Sequence, residues 1–209
     1  MSQPVPATLY RIGAAAGVGS AVILLINAAK RAEFIPTSAF TQLAAPLAQI
    51  LALALVTALY FAFGRRAGIF GLVAFLLNAF SLAMLVGVEF VINLVFADLP
   101  DRTIEALRAG TLGVALTVAS ISFLLGTLAY VAAMLRSREV PTAPLVLYAV
   151  GAVPISLRAF VPEAALDLGL VSVALGVGWL GLWLFNRSGD ITPWAAHTTT
   201  RASRVSASR

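Results

Sequence analysis

The sequence contains no cysteine and a single histidine, His197, among its 209 residues. The absence of cysteine excludes disulfides, iron–sulfur clusters, thiolate zinc sites and cysteine nucleophiles. Because the one histidine lies in a polar segment rich in Ser, Thr and Arg, no pair of imidazoles can hold a metal or a haem between apolar segments. The sequence therefore predicts neither a metal site nor a cofactor.

Charged residues are also scarce. They make up 11% of the chain and hydrophobic residues 60%, whereas soluble proteins have about 25% and about 45–50%. With a mean hydropathy of +0.96, this composition excludes a water-soluble domain and predicts a protein whose main partner is the lipid bilayer. The net charge of +5 comes from basic residues between the apolar runs, which is typical of membrane topology signals. Nucleic acid is therefore excluded as a partner.

Six apolar runs have the length of membrane spans. A helix crosses the hydrocarbon core in about 20 residues, whereas a barrel strand needs about 10 with strict alternation, which these runs lack. The sequence thus predicts an all-α transmembrane bundle over residues 1–186, followed by a disordered basic cytoplasmic tail at 187–209. The predicted spans are 11–29, 43–63, 69–96, 111–135, 142–160 and 166–186.

The gaps between the runs differ in length. Residues 64–68 and 136–141 are tight turns, so the helices that they join are predicted to be antiparallel neighbours. Residues 30–42 and 97–110 are long enough for short surface helices. In the second of these gaps, residues 98–101 (Asp-Leu-Pro-Asp) predict the start of an interfacial helix.

The positions of Lys and Arg predict the orientation. With the N-terminus in the cytoplasm, nine of the fourteen basic residues lie inside, and both short turns place two arginines there. The sequence therefore predicts that both termini are cytoplasmic.

A cleaved signal peptide at residues 1–29 is the competing interpretation of the first apolar run. That run is longer than the usual apolar stretch of a signal peptide, about 7–15 residues, so the first span is predicted to be retained.

Small residues recur four positions apart in two predicted spans. Gly13 and Gly17 form a GxxxG motif in the first span, and Ser172 and Gly176 repeat the spacing in the sixth. Such pairs allow two helix backbones to approach closely in lipid. Two interpretations remain open: packing within one chain, which is the favoured one, and contact with a second copy or a protein partner.

The third span contains the densest set of polar residues. At 100° per residue, Asn78, Ser81, Glu89 and Asn93 share an arc of about 120° on one helix face. This polar stripe is predicted to face the bundle interior or a water-filled cavity, because an ionisable group facing lipid is costly. Arg158 in the fifth span comes to a depth similar to that of Glu89, which predicts an ion pair between them near the outer face.

No pattern in the sequence indicates catalysis. There is no HExxH or GxSxG motif and no pair of carboxylates within the spans, so no catalytic residue is predicted and the protein is not expected to be an enzyme.

The sequence predicts a structural or accessory bundle. The alternative is a small carrier or channel that uses the polar stripe, with Glu89 as the binding or gating charge. A Glu89 sealed against Arg158 would argue against transport, whereas a polar cavity reaching Asn78 would favour it.

One local pattern resembles a known family. Residues 126–130 (Gly-Thr-Leu-Ala-Tyr), followed by residues 135–141 (Leu-Arg-Ser-Arg-Glu-Val-Pro), look like the helix end, Arg-Ser pair and proline turn of that family. The layout from Arg11 through the fifth span is also similar. The family consists of uncharacterised bacterial membrane proteins of six or seven spans that share a domain of unknown function. The resemblance implies a multi-pass protein of the bacterial plasma membrane and supplies no activity.

Overall fold

The computed structural model describes residues 7–158, 160–189 and 191, and within these residues the secondary structure is entirely helical. The α-helices are α1 (Ala7–Arg31), α2 (Ala39–Ala62), α3 (Gly68–Phe90), α4 (Asp101–Ala109), α5 (Thr111–Ser137), α6 (Thr142–Ser156) and α7 (Glu163–Arg187). Tighter or wider turns of helix occur at Gly64–Ala67, Val91–Val95 and Phe96–Asp98. The predicted tail lies almost wholly outside the described residues.

Five helical runs are long and apolar enough to cross a membrane. They are α1, α2, the run Gly64–Asp98, α5 and α7. This confirms the prediction of an all-helical protein with helices of membrane-spanning length. In lipid every backbone N–H and C=O must find its partner within the segment, which continuous helix provides.

The fifth predicted span, 142–160, is shorter than expected. The apolar run extends to residue 160, but α6 ends at Ser156 after 15 residues, or about 22 Å at 1.5 Å per residue. Pro154 lacks an N–H and its ring crowds the carbonyl one turn earlier, which weakens the last turn of the helix. Leu157 then leaves the helical conformation at φ −98° and ψ 24°. Arg158 consequently lies on a turn and not on a helix.

The five long runs and the shorter α6 form a closed ring around a common axis. Each packs against two others in the order α1, α2, α3, α5, α6, α7 and back to α1, while α4 packs against the start of α5. The tight turns at 64–68 and 136–141 join ring neighbours, as predicted. Because the chain direction alternates, α1, α3 and α6 end where α2, α5 and α7 begin. We call this end of the ring the pocket end.

The small-residue motifs pack inside the chain. Gly13 and Gly17 lie against α2, and a Cβ built on Gly13 would come within 2.3 Å of the Cβ of Ala58. Gly176 lies against the start of α6, and the Ser172 hydroxyl donates a hydrogen bond to a carbonyl of α6 at 2.8 Å. These contacts favour the interpretation of the motifs as packing within one chain.

The long gaps of the sequence differ in structure. The gap 97–110 contains α4, which begins after Pro100 and has no buried residue. The gap 30–42 contains no separate helix, because α2 begins earlier than the apolar run suggests. Ser38 and Thr41 form a capping box there: each side-chain oxygen accepts a hydrogen bond from the backbone N–H of the other residue, at 3.3 and 3.0 Å.

A buried hydroxyl joins α5 to α2. Tyr130 is fully buried, and its hydroxyl donates a hydrogen bond to the carbonyl of Val56 at 2.8 Å.

Replacing Tyr130 with phenylalanine is expected to destabilise the protein by about 1–2 kcal/mol, because the carbonyl of Val56 loses its buried donor. The check is the melting temperature of the purified protein in detergent. Tyr60→Phe is the control, since the Tyr60 hydroxyl has no hydrogen-bond partner among the described residues, and an equal loss there would contradict the prediction.

Candidate functional site

A cavity of about 260 Å³ opens between the helices at the pocket end of the ring. We call it the outer cavity. Four charged side chains line it: Lys30, Arg31, Glu89 and Arg158. Uncharged polar side chains also line it, and these are Asn27, Thr37, Gln42 and Asn93. The outer cavity therefore concentrates charge within a chain that otherwise has little.

The polar stripe of the third span faces the bundle interior, as its pattern predicts, and divides into two parts. Asn78 and Ser81 are fully buried, and the Ser81 hydroxyl donates to the carbonyl of Asn78 at 2.8 Å. Glu89 and Asn93, two or more turns further along, line the outer cavity. Only the second part of the stripe is thus placed to meet a solute.

Asn93 bridges two charged side chains. The Lys30 ammonium donates to Asn93 Oδ1 at 2.7 Å, and Asn93 Nδ2 donates to Glu89 Oε2 at 2.8 Å. Asn93 lies in the π-helical turn Val91–Val95, a type of turn that often occurs at functional sites. Sequence reasoning placed Lys30 in a loop and missed this bridge. The signal was present, because Lys30 directly follows the first predicted span and Glu89 lies near the same end of the third.

Arg31 joins the first helix to the last. Its guanidinium forms ion pairs with Glu163 and with Asp167, the second at 3.2 Å between Nε and Oδ1. Two carboxylates therefore neutralise the positive charge of this arginine at the rim of the outer cavity. These two contacts were not predicted from the sequence, although the two acidic residues stand four positions apart in the first turns of α7, on one helix face.

Glu89 and Arg158 share the cavity without forming a direct ion pair. Both line it, as their similar depth predicts, but the Glu89 carboxylate bonds to Asn93 instead. Within residues 7–158, 160–189 and 191, Arg158 has neither a hydrogen bond nor an ion pair. The predicted pairing is therefore wrong as a direct contact. The early end of α6 explains the difference, because Arg158 lies on a turn beyond the helix.

A second, inner cavity of about 50 Å³ lies next to the first on the ring axis. Glu89, Arg158 and two apolar residues line both cavities. The rest of its lining is mostly apolar, and every ring helix contributes one side chain or more; examples are Leu24, Ala52, Leu82, Phe123, Tyr148 and Val173. The charged groups Glu89 and Arg158 thus lie where the polar outer cavity meets an apolar interior.

The inner cavity ends one side chain short of Asn78, so the polar cavity to Asn78 that would favour transport is absent from the described residues, whereas the unsealed Glu89 is present. Tyr148 lines the cavity, and its hydroxyl lies 3.5 Å from Asn78 Oδ1 and from the Thr127 hydroxyl. Beyond this polar group, towards the other end of the ring, Tyr130 and Met134 are fully buried, and Tyr130 reaches across the ring from α5 to the carbonyl of Val56 on α2. The axial space therefore opens at the pocket end and is blocked in the other half.

The described part of the chain holds no group of three or more His, Cys, Asp or Glu side chains that could ligate a metal ion. His197 lies outside the described residues. The outer cavity offers a solute charged and hydrogen-bonding side chains.

Comparison with known proteins gives no identity. No protein-family model, curated protein or solved structure matches this chain. The resemblance to the family of small bacterial membrane proteins stays a prediction, and the function must be argued from the cavities themselves.

Proposed function

We propose that the chain crosses the membrane six times, with the short helix α6 as the fifth crossing and both termini in the cytoplasm. Six of the described basic residues lie at the end opposite the pocket end and five at the pocket end, and both tight turns place two arginines at the former, where the positive-inside rule favours the cytoplasm. Acidic residues concentrate at the pocket end, which would then face outward. They are Glu33, Glu89, Asp98, Asp101, Glu105, Glu163 and Asp167. In line with the resemblance, we place the protein in the bacterial plasma membrane.

We propose that this non-enzymatic membrane protein is a small carrier that binds a solute in the outer cavity, with Glu89 as a binding charge. The observation that carries the proposal is that Glu89 and Arg158 face one water-accessible cavity on the ring axis without sealing it. Charges within a membrane bundle are expensive, and ones that face a cavity usually mark a solute pathway.

The blocked half of the axis favours a carrier over a channel. An open channel needs a continuous path, whereas a carrier exposes its site to one side at a time. Here the path from the pocket end stops at Tyr148 and at the buried core beyond it. This arrangement fits the outward-facing state of a carrier.

The accessory bundle is the second candidate, and the close packing of the blocked half favours it. A Cβ on Gly181 would come within 2.7 Å of the carbonyl of Ala14, so α1 and α7 meet almost backbone to backbone. Such packing suits a rigid scaffold for a partner. In that case the cavities would be hydrated gaps, and no solute would bind there.

Labelling of introduced cysteines tests the proposal, because no native cysteine interferes. Cysteine at Gln42 or Leu170, both in the outer cavity, is expected to react with a membrane-impermeant thiol reagent added outside intact cells. Cysteine at Phe80, an exposed position on α3 that would face lipid, is the control and should stay unlabelled. Cysteine at Arg138 should react only after the cells are permeabilised.

Two results would contradict the proposal. If Leu170→Cys stays unlabelled while Gln42→Cys reacts, water does not reach the depth of Glu89 and the carrier is rejected. If Arg138→Cys reacts in intact cells, the proposed orientation is wrong.

A further inference from the structure

We infer that the outer cavity binds a compact zwitterion with an apolar side chain, such as an apolar α-amino acid. This inference rests on the proposed function, because it names the ligand of the same cavity. It follows from three features: a guanidinium that makes no hydrogen bond or ion pair with the described residues, a carboxylate with one open oxygen, and the apolar inner cavity beside them.

Arg158 offers the binding group for the acid end of such a ligand. Among the residues that the structure describes, its guanidinium has no hydrogen bond and no ion pair. A guanidinium presents a planar set of donors that matches a carboxylate through two parallel hydrogen bonds. Lys30 adds a second positive charge on another wall of the cavity, although one of its donors is already bound to Asn93.

Glu89 offers the binding group for the ammonium end. One of its carboxylate oxygens, Oε2, accepts from Asn93, and the other has no partner among the described residues. Like Arg158, Glu89 lines both cavities. The two open groups of opposite sign therefore lie at the same junction, in a site partly shielded from water, where each is stabilised most by a charge of the opposite sign.

This pair of charges discriminates between ligand classes. A simple anion would meet the repulsion of Glu89, and a simple cation would meet that of Arg158 and Lys30. A ligand that carries both charges on neighbouring atoms satisfies both groups at once. The positive charge of Arg31 does not alter this preference for a ligand with both charges, because Glu163 and Asp167 already neutralise it.

The inner cavity fits the side chain of such a ligand. Its lining is mostly apolar and includes Leu24, Leu82, Phe123 and Val173. A volume of about 50 Å³ is more than a single water molecule needs and leaves room for a short aliphatic side chain. Its wall contains residues of all six ring helices, so the two long acyl chains of a zwitterionic lipid would have no lateral exit there. A free amino acid therefore fits better than a lipid headgroup.

Four probes of the purified full chain in detergent test the inference. Leucine is compared with 4-methylpentanoate, which lacks the ammonium, with 3-methylbutylamine, which lacks the carboxylate, and with glycerophosphoethanolamine as the headgroup of a lipid. At saturation leucine is expected to raise the melting temperature by roughly 5 °C or more, because a ligand that binds only the folded state stabilises it. The other three probes should produce less than half of that shift.

Substitutions assign the effect to the two charges. Arg158→Gln and Glu89→Gln should each abolish the leucine shift, whereas Arg102→Gln, on the exposed surface of α4, should leave it unchanged. Persistence of the shift in both cavity variants would place the binding site elsewhere and overturn the inference.

The outcomes separate this inference from the proposed function. An equal shift with 4-methylpentanoate would identify an anion site, and a larger shift with glycerophosphoethanolamine would identify a lipid headgroup; either result overturns the amino-acid assignment. If no probe shifts the melting temperature but Leu170→Cys is labelled from outside, the inference fails and the proposed function stands. If that cysteine is also unlabelled, both fail.

Discussion

Replacing Gly151 with alanine is expected to destabilise the protein by about 1–3 kcal/mol, the usual cost of overpacking a tight contact. Gly151 lies where α6 meets α7, and a Cβ there would come within 2.6 Å of the carbonyl oxygen of Gly169 and 2.8 Å of the backbone N of Val173. These atoms belong to helix backbone, so they cannot rotate away as a side chain could. The two helices would have to separate. The lost packing would fall on α6, which is the shortest helix of the ring.

The melting temperature in detergent measures this effect, with a decrease of roughly 2–10 °C expected for a chain of this size. Gly87→Ala is the matched control, because a Cβ at Gly87, in the interior of α3, meets nothing within 4 Å. There alanine should leave stability unchanged or raise it slightly, since glycine is a poor helix former. Equal losses for both variants would show that the contact between α6 and α7 is not responsible.

Replacing Asn93 with leucine, which has a similar volume, is expected to cost about 2 kcal/mol of stability. The substitution removes the acceptor of Lys30 and the donor to Glu89 at the same time. Hydrogen bonds to charged groups contribute about 1.5–3 kcal/mol each, but water in the outer cavity can replace part of that. The Lys30 ammonium and the Glu89 carboxylate would then each depend on water as a hydrogen-bond partner, in a cavity that only partly admits it.

The same melting assay measures the loss, with Asn186→Leu as the control. Asn186 is exposed near the end of α7, and no hydrogen bond of its side chain is found among the described residues. Its replacement should change stability by less than about 0.5 kcal/mol. A decrease in the Asn186 variant as large as that in the Asn93 variant would indicate a general effect of added apolar surface and would contradict the role of the bridge.

Much of the fold could be predicted from the sequence because hydropathy is a local property. The apolar runs mark α1, α2, α3, α5 and α7, since each run is long enough for a crossing. The exception is the fifth run, where hydropathy continues to residue 160 but the helix ends at Ser156. Proline geometry decides the end of that helix, and hydropathy does not register it.

The candidate site could be predicted only in part. Helical periodicity placed Asn78, Ser81, Glu89 and Asn93 on one inward face. It could not supply the partner of Glu89, because that partner depends on which helix stands beside α3 and at what height. The predicted partner was Arg158, but Asn93 from the following turn holds the carboxylate and Lys30 from α1 completes the bridge.

The sequence by itself determined that this chain is helical and apolar enough for lipid, because scarce charge and long apolar runs leave only internally hydrogen-bonded helices as a stable solution. Only the tertiary structure decided the order of the helices around the ring, and with it the two axial cavities and the pairing of Arg31 with α7. The physical reason is that lipid exerts no preference among apolar helix faces. Close contacts of small residues and a few buried polar groups therefore select the neighbours, and these contacts exist only once the helices are assembled.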